Sequence, residues 1–402
     1  MAGPPVIAPE TYWVGVNDHE TDLFEALWPL PYGVSYNAYL VVDQKVALID
    51  AVKGHFLAEH LHRIRQVLRP GQSVDYLVIN HMEPDHTGAI QILRSVFPDM
   101  TLVGNKKTLE MLEAFYGTCA PCRQVGDGDV LDLGAHKLRF FLTPMVHWPE
   151  TMMTFDLTTG VLFSGDAFGG FGTVDQGLFD DEIDGELMHG EMLRYFTNIV
   201  ARYGKMVLKA VDKLRELTFH VVAPTHGAVW RKDPSLPVRL YERWSLQETD
   251  PTVVVAYGSM YGNTYRLAEA VARALTERGV SPLVHDVART HASFVIADIW
   301  TSKGLILACP TYNTGLFPPM ETLLGFLENK LLQNRLLGLV TSYAWAGGAR
   351  KALESFAERM KLEVVEPIVE VKGAGTAEDL EQCALLSANL AQRLQSPSTS
   401  PM

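Results

Sequence analysis

Two α/β domains in tandem are predicted from three observations. The chain has 402 residues with 47% hydrophobic content, enough for two full cores. Its first half carries short apolar, β-rich runs that end in potential metal ligands. Its second half alternates strand and helix signals, the pattern of a doubly wound parallel sheet. A join near Leu246 to Pro251 gives domains of 1–248 and 251–395, and leaves 396–402, with its Ser and Pro, as a frayed tail.

The apolar run Asp75 to Asn80 is a predicted strand, and it leads straight into His81-Met82-Glu83-Pro84-Asp85-His86. The imidazoles of His81 and His86 offer nitrogen and the carboxylates of Glu83 and Asp85 offer oxygen. Such a set suits iron, manganese or zinc without choosing among them. This segment is read as a metal loop, and three later strand ends can complete it. His147 follows the run Arg139 to Leu142, Asp166 follows Val161 to Phe163, and His226 follows His220 to Ala223. Loops at strand ends gather into sites. It is the order cluster, His, Asp, His that carries the reading, since a lone His after a strand is ordinarily a hydrogen-bonded one.

After Glu248-Thr-Asp-Pro251 a buried strand is predicted over Thr252 to Tyr257. A loop of Gly258, Ser259, Met260, Tyr261, Gly262, Asn263 and Thr264 follows, then a helix from Tyr265 to Glu277. Loop amides, hydroxyls and the helix N-terminus point positive charge at one spot, so this is an anion cradle with Ser259, Asn263 and Thr264 as phosphate contacts. It is neither a dinucleotide fingerprint nor a nucleotide-triphosphatase loop. Strands are then expected at 282–287, 304–309, 336–343 and 364–371, and helices at 293–300, 319–331, 349–361 and 377–394. Ligands of such sheets sit beyond the strand C-termini. Two more loops fall there: Pro310, Thr311, Tyr312, Asn313, Thr314 and Gly315, and Ser342, Tyr343, Ala344, Trp345, Ala346 and Gly347. Both mix small residues with aromatics and can wrap a flat isoalloxazine ring, with Tyr312, Tyr343 or Trp345 near its faces or edges.

A net charge of −13 argues against nucleic acid or an anionic membrane as partner. The absence of a long apolar run and of a signal-peptide pattern at the start leads to a cytoplasmic expectation. Four cysteines in so long a chain make no disulfide framework. Cys119-Ala-Pro-Cys122 is read as two reduced surface-loop thiols. With no second such pair, a fused rubredoxin is not expected. No internal repeat is visible.

The ligand order of the first half resembles the metallo-β-lactamase superfamily, which implies an αββα sandwich with two metals at its loop edge. Hydrolases of that superfamily carry His-x-His-x-Asp-His in this loop and usually hold zinc, whereas Glu83 stands here at the second histidine. A carboxylate is harder and negatively charged, which favours ferric iron and points from hydrolase to diiron oxidoreductase. The loops of the second half resemble flavodoxin, which implies bound flavin mononucleotide (FMN) and strand order 2-1-3-4-5.

Together the halves resemble the flavodiiron proteins, or A-type flavoproteins. The resemblance implies that His81, Glu83 and His147 bind the iron nearer the flavin, that Asp85 and His226 bind the other, and that Asp166 bridges them. His86 matches a position that coordinates in some members and swings away in others. Tyr195, in Arg194-Tyr-Phe-Thr-Asn198, matches an aromatic behind the ligands, with a plain core tyrosine as the other reading. The implied activity is transfer of electrons from FMN to the diiron centre and reduction of dioxygen to water or nitric oxide to nitrous oxide, in a scavenging role. Implied partners are a separate donor (rubredoxin, a reduced deazaflavin or a flavin reductase) and a second copy in a head-to-tail homodimer or dimer of dimers. Two other readings are a metallo-β-lactamase-type hydrolase with a flavodoxin-like module, against which Glu83 speaks, and a non-catalytic electron-transfer module, which leaves the ligand set unexplained.

Overall fold

Near-continuous apolar runs along the central strands of the first half, buried at every position, bring two sheets together face to face. The computed structural model describes residues 3–117 and 121–395, which fall into two units, 1–245 and 246–402. In the first unit a seven-stranded sheet runs in the order Val6–Ala8, Thr11–Trp13, Tyr39–Val42, Val46–Ile49, Tyr76–Val78, Thr101–Gly104, Cys122–Gln124. A five-stranded sheet runs Val130–Asp132, Lys137–Leu142, Met152–Asp156, Val161–Gly165, Val221–Pro224. Period-two residues of both sheets, among them Tyr39, Val41, Ala47 and Ile49 on one and Phe140, Val161, Phe163 and Ala223 on the other, form one core. The Tyr39 and Phe163 rings meet across it at 5.3 Å.

Strand direction places the site. Val161–Gly165 and Val221–Pro224 are parallel, and Lys137–Leu142 runs the same way through two antiparallel pairings, so these chains leave the sheet at one edge. In the other sheet Val46–Ile49, Tyr76–Val78 and Thr101–Gly104 are mutually parallel. Two details differ from expectation. The metal loop is partly helical, because Pro84, whose fixed φ and missing N–H suit a first helical position, opens the turn Pro84–Thr87. Cys122 lies in an edge strand rather than a loop, paired with Leu102, and Cys119 lies outside the described residues.

The second unit is a parallel sheet in the order Leu283–Asp286, Asp250–Tyr257, Ser302–Pro310, Leu336–Tyr343, which is the 2-1-3-4 part of the expected order. The fifth strand, expected as one run over 364–371, is two short pieces, Glu363–Val364 and Val369–Lys372, both paired to Leu336–Tyr343. Pro367 between them has no N–H to give the ladder. Helices Asn263–Thr276 and Ala377–Gln395 bury apolar stripes such as Leu267, Val271 and Leu275, and Cys383, Leu386 and Leu390. The expected tail 396–402 lies outside the described residues.

At the C-terminal edge the loops 310–315 and 342–348 touch through Gly348, where an added Cβ would collide with the Thr314 carbonyl. Gly348→Ala is therefore expected to destabilise the second unit by about 1–3 kcal/mol, the usual cost of overpacking against backbone. Thermal unfolding checks this, and an unchanged transition would show that the loops part freely.

Candidate metal centre and flavin cradle

Each predicted ligand leaves its strand within a few residues of the strand end, and each side chain turns into one buried pocket. His81, Glu83, His147 and Asp166 form one group whose donor atoms lie within 4.8 Å of one another, and Asp85, His86 and His226 form a second. Asp166 joins them with its two oxygens. Its Oδ2 is 2.9 Å from His147 Nε2 and 3.5 Å from His81 Nε2, and its Oδ1 is 3.0 Å from His86 Nε2 and 3.6 Å from His226 Nε2. Glu83 Oε2 closes the first group at 3.2 Å from His81 and 3.3 Å from His147. Asp85 closes the second at 3.3 Å from His86 and 3.4 Å from His226. His86 is turned into the pocket, not away from it.

The donors fit two metal ions. Bonds of about 2.0–2.2 Å place neighbouring ligands roughly 3.0–3.5 Å apart, the spacing found here. Both carboxylate oxygens of Asp85, His86 Nε2 and His226 Nε2 are buried without a well-aligned hydrogen bond among the described residues. Four such atoms converging in one place are costly unless a cation satisfies them.

Surrounding groups fix these donors. His226 Nδ1–H donates to the Ser35 carbonyl at 2.8 Å, which leaves Nε2 as the acceptor facing the pocket. The Thr225 hydroxyl donates to Asp166 Oδ1 at 2.6 Å. Asp50, buried at the end of Val46–Ile49, accepts from the Asn80 backbone at 2.8 Å and the Asn80 side chain at 3.0 Å, so it sets the chain immediately before His81. Burial pushes the Asp50 carboxyl up to about 6. Phe24 and Tyr195 pack on His226 at 5.4 and 5.6 Å between ring centres. The Tyr195 hydroxyl is buried without a hydrogen-bond partner among the described residues, and burial holds its pKa well above the ordinary tyrosine value.

Sequence reasoning missed several of these. Phe24 sits in a hairpin of two-residue strands, Leu23–Phe24 and Trp28–Pro29, which have no periodicity to detect. Glu150 was visible three residues after His147, but its contact with His81 Nδ1 at 2.8 Å comes from the fold.

In the second unit a cavity of about 370 Å³ is lined by Ser259, Met260, Tyr261, Asn263, Thr264, Pro310, Thr311, Tyr312, Asn313, Thr314, Ser342, Tyr343, Ala344, Trp345 and Ala346. Gly262, Gly315 and Gly347 are not on its wall, and Gly373, not anticipated, is. Gly262, at φ 90°, turns the chain into helix Asn263–Thr276, and its N–H donates to Ser259 Oγ at 3.1 Å. Thr264 Oγ1 and Ser342 Oγ lie 2.9 Å apart and tie two loops together. Asn313 and Thr314, at φ 47° and 59°, form the tip of a tight turn closed by Tyr312 N–H to Gly315 O at 3.0 Å and Gly315 N–H to Tyr312 O at 2.9 Å. Tyr261 and Trp345 leave 91% and 85% of their surfaces exposed, large faces that a planar ligand would cover. An anion cradle beside exposed aromatic faces fits FMN.

Residues 34–227 match the family described as ODP family beta lactamase, and residues 255–386 match flavodoxin. A nitric oxide reductase of Moorella thermoacetica is 31% identical over 399 residues, which are 98% of this chain and 100% of that one. An anaerobic nitric oxide reductase flavorubredoxin of Escherichia coli O1:K1 / APEC is 31% identical, over 86% of this chain and 73% of that protein. Among solved structures, the rubredoxin oxygen:oxidoreductase of Desulfovibrio gigas superposes with a TM-score of 0.93 at 29% identity and the flavodiiron protein of Giardia intestinalis with 0.92 at 27%. These superpositions span 98% of this chain, and 98% and 97% of theirs. A lactamase-like metal domain joined to a flavodoxin-like domain defines a class of two-cofactor oxidoreductases. The chain belongs to the flavodiiron family. Among the described residues no helix is long and apolar enough to cross a membrane.

The charge states within the pocket give a pH dependence. Burial opposes protonation of His86 and His147, yet Asp85 and Asp166 hold His86 up at about 9, and hydrogen bonds to Asp166 and Glu83 hold His147 up at about 9. Burial opposes charge on His81 as well, but Asp166, Glu150 and Glu83 keep it well above the ordinary value. An unfolded histidine titrates near about 6.5. The raised groups therefore stabilise the metal-stripped fold fully below that pH, and the contribution is lost as pH rises through about 9. Metal-stripped protein should lose several degrees of thermal midpoint between these values while metal-loaded protein changes little. A flat profile for the stripped form would contradict the assignment.

Proposed function

We propose that this flavodiiron oxidoreductase reduces dioxygen to water or nitric oxide to nitrous oxide. The observation that carries the reading is Glu83 within a cluster split across the two oxygens of Asp166, in one chain with a flavodoxin-like cradle. His81, Glu83 and His147 would hold one iron, Asp85, His86 and His226 the other, with Asp166 between them. Ser259, Asn263 and Thr264 would take the FMN phosphate, and Tyr312, Tyr343 and Trp345 would flank its ring. When bound, these groups supply stepwise electron transfer to the gas.

The chain's own residues do the rest. Ser35, Thr225 and Glu150 hold the ligands so that their donor atoms face inward. Phe24 and Phe171, both buried against Tyr195, exclude water from that side of the pocket. The Tyr195 hydroxyl keeps its proton, has no hydrogen-bond partner among the described residues, and would donate a hydrogen bond toward a bound substrate. The domains that do this would be 1–248 and 251–395. Electrons would come from a separate carrier such as rubredoxin, a reduced deazaflavin or a flavin reductase. A head-to-tail homodimer, or a dimer of dimers, would bring one subunit's flavin beside the partner's metals, and a strictly monomeric protein with full activity would refute this.

Glu83→Ala and Asp166→Ala should each lower gas consumption at least a hundredfold, on the scale of losing a principal catalytic group, while FMN content stays unchanged. Anaerobic metal and flavin analysis with oxygen and nitric oxide electrodes tests this, and the ratio of the two rates gives the preferred gas. Wild-type turnover by either variant would sink the ligand assignment. Tyr195→Phe should retain metals and flavin and lose roughly ten- to a hundredfold in turnover if the hydroxyl supplies a proton or hydrogen bond. Unchanged turnover would reduce Tyr195 to packing.

A further inference from the structure

The two halves of the metal cluster are not supported alike. Glu150 Oε1 lies 2.8 Å from His81 Nδ1 and also accepts from the Met82 backbone N–H at 2.9 Å. The carboxylate can only accept from the ring, so His81 Nδ1 carries the proton and Nε2 faces the cluster. The Glu150 backbone is held as well, because its carbonyl accepts from the Asn105 side-chain amide. The same Asn105 uses its oxygen to cap helix Lys106–Tyr116, at 3.0 Å from Lys107 N and 3.2 Å from Thr108 N. Glu150 is therefore fixed at both ends, and it ties the segment bearing His81 to the turn bearing His147.

Nothing in the second half matches this. His226 gives its Nδ1–H to a neutral carbonyl, that of Ser35, and His86 Nδ1 has no hydrogen-bond partner among the described residues. Glu150 has one further property. Its side chain is fully buried, its Oε2 lacks a hydrogen-bond partner, and no Lys or Arg pairs with it among the described residues. Apart from the neutral Met82 N–H, its negative charge is answered among the described residues only through the His81 ring, so a cation on the far side of that ring is what balances it. A carboxylate behind an imidazole makes the ring a more basic ligand, and losing such a partner costs about 10–100-fold in metal affinity.

We propose that Glu150 is a positioning residue that makes the two half-sites unequal, so that the His81, Glu83, His147 group binds its metal more tightly and fills first. The inference rests on the two-metal reading given above. It is tested by anaerobic titration of metal-stripped full-length protein with Fe(II), with metal content by elemental analysis and the thermal midpoint of the stripped form as further readouts. Wild type should bind two ions in two resolved steps. Glu150→Gln keeps the shape and an acceptor oxygen but removes the charge, and it should weaken the tighter step about 10–100-fold with the weaker step within twofold. Glu150→Asp, which restores the charge at shorter reach, should recover part of the loss. A Glu150→Gln isotherm like wild type, or equal weakening of both steps with a fallen thermal midpoint, would overturn the proposal and leave Glu150 a brace for the backbone. A wild-type protein binding one ion or none would instead overturn the two-metal reading, a failure visible before any variant is made.

Discussion

Charge balance in a dry pocket governs the first unit. Glu83, Asp85, Asp166 and Glu150 bring four carboxylates into a space they share with His81, His86, His147 and His226. Isolated buried charges cost several kcal/mol each, so the pocket persists only if cations answer them. Two divalent ions would supply the count with all four rings neutral. In their absence protons take the same role, which is why His81, His86 and His147 are held in their charged forms while Asp85 is pushed toward its neutral one by burial. His226 is the exception: burial lowers it, with nearby His86 adding to the effect. Metal uptake at this site is consequently an exchange of protons for metal rather than a simple addition.

The sheets exist, from this viewpoint, to deliver those groups with little freedom. Side chains from six strand ends meet because parallel registers bring the C-terminal ends of Val46–Ile49, Tyr76–Val78 and Thr101–Gly104 together, and likewise those of Val161–Gly165 and Val221–Pro224, with Lys137–Leu142 aligned through two antiparallel pairings. Asp50, Asn80 and Asn105 are spent at that edge on hydrogen bonds to backbone and to one another's segments. Elements that a survey of ligands alone would pass over decide whether the donors converge.

Much of this was legible in the chain because the signals are local. Apolar runs that lead to His81, His147, Asp166 and His226 mark strands and convergent donor groups at once, and Glu83, where hydrolases of the superfamily that the first half resembles carry a histidine, points toward redox chemistry. The parallel sheet of the second unit followed from strand and helix alternation, and its strand order from the resemblance to flavodoxin. What escaped depended on contacts between distant segments. The hairpin carrying Phe24 is too short for periodicity, and Glu150 acquires its meaning only when residues 81 and 150 meet. Pro367, in contrast, was a readable break in the fifth strand, and overlooking it merged two short strands into one. Pro84 likewise announced a helical start where a loop was expected.

The turn tip at Asn313 and Thr314 has a consequence for how the flavin is held. Two consecutive non-glycine residues in the left-handed region are strained, at roughly 1–3 kcal/mol each, and such a conformation lasts only where neighbours impose it. Here the paired N–H groups of Tyr312 and Gly315, the Thr311 hydroxyl that receives the Ala349 N–H at 3.2 Å, and the close approach of Gly348 impose it. The loop is thus shaped before any ligand arrives, so little conformational entropy remains to be lost on docking. A mould of this kind favours slow release of its occupant, and a flavin retained through many catalytic cycles behaves as part of the protein instead of as a second substrate.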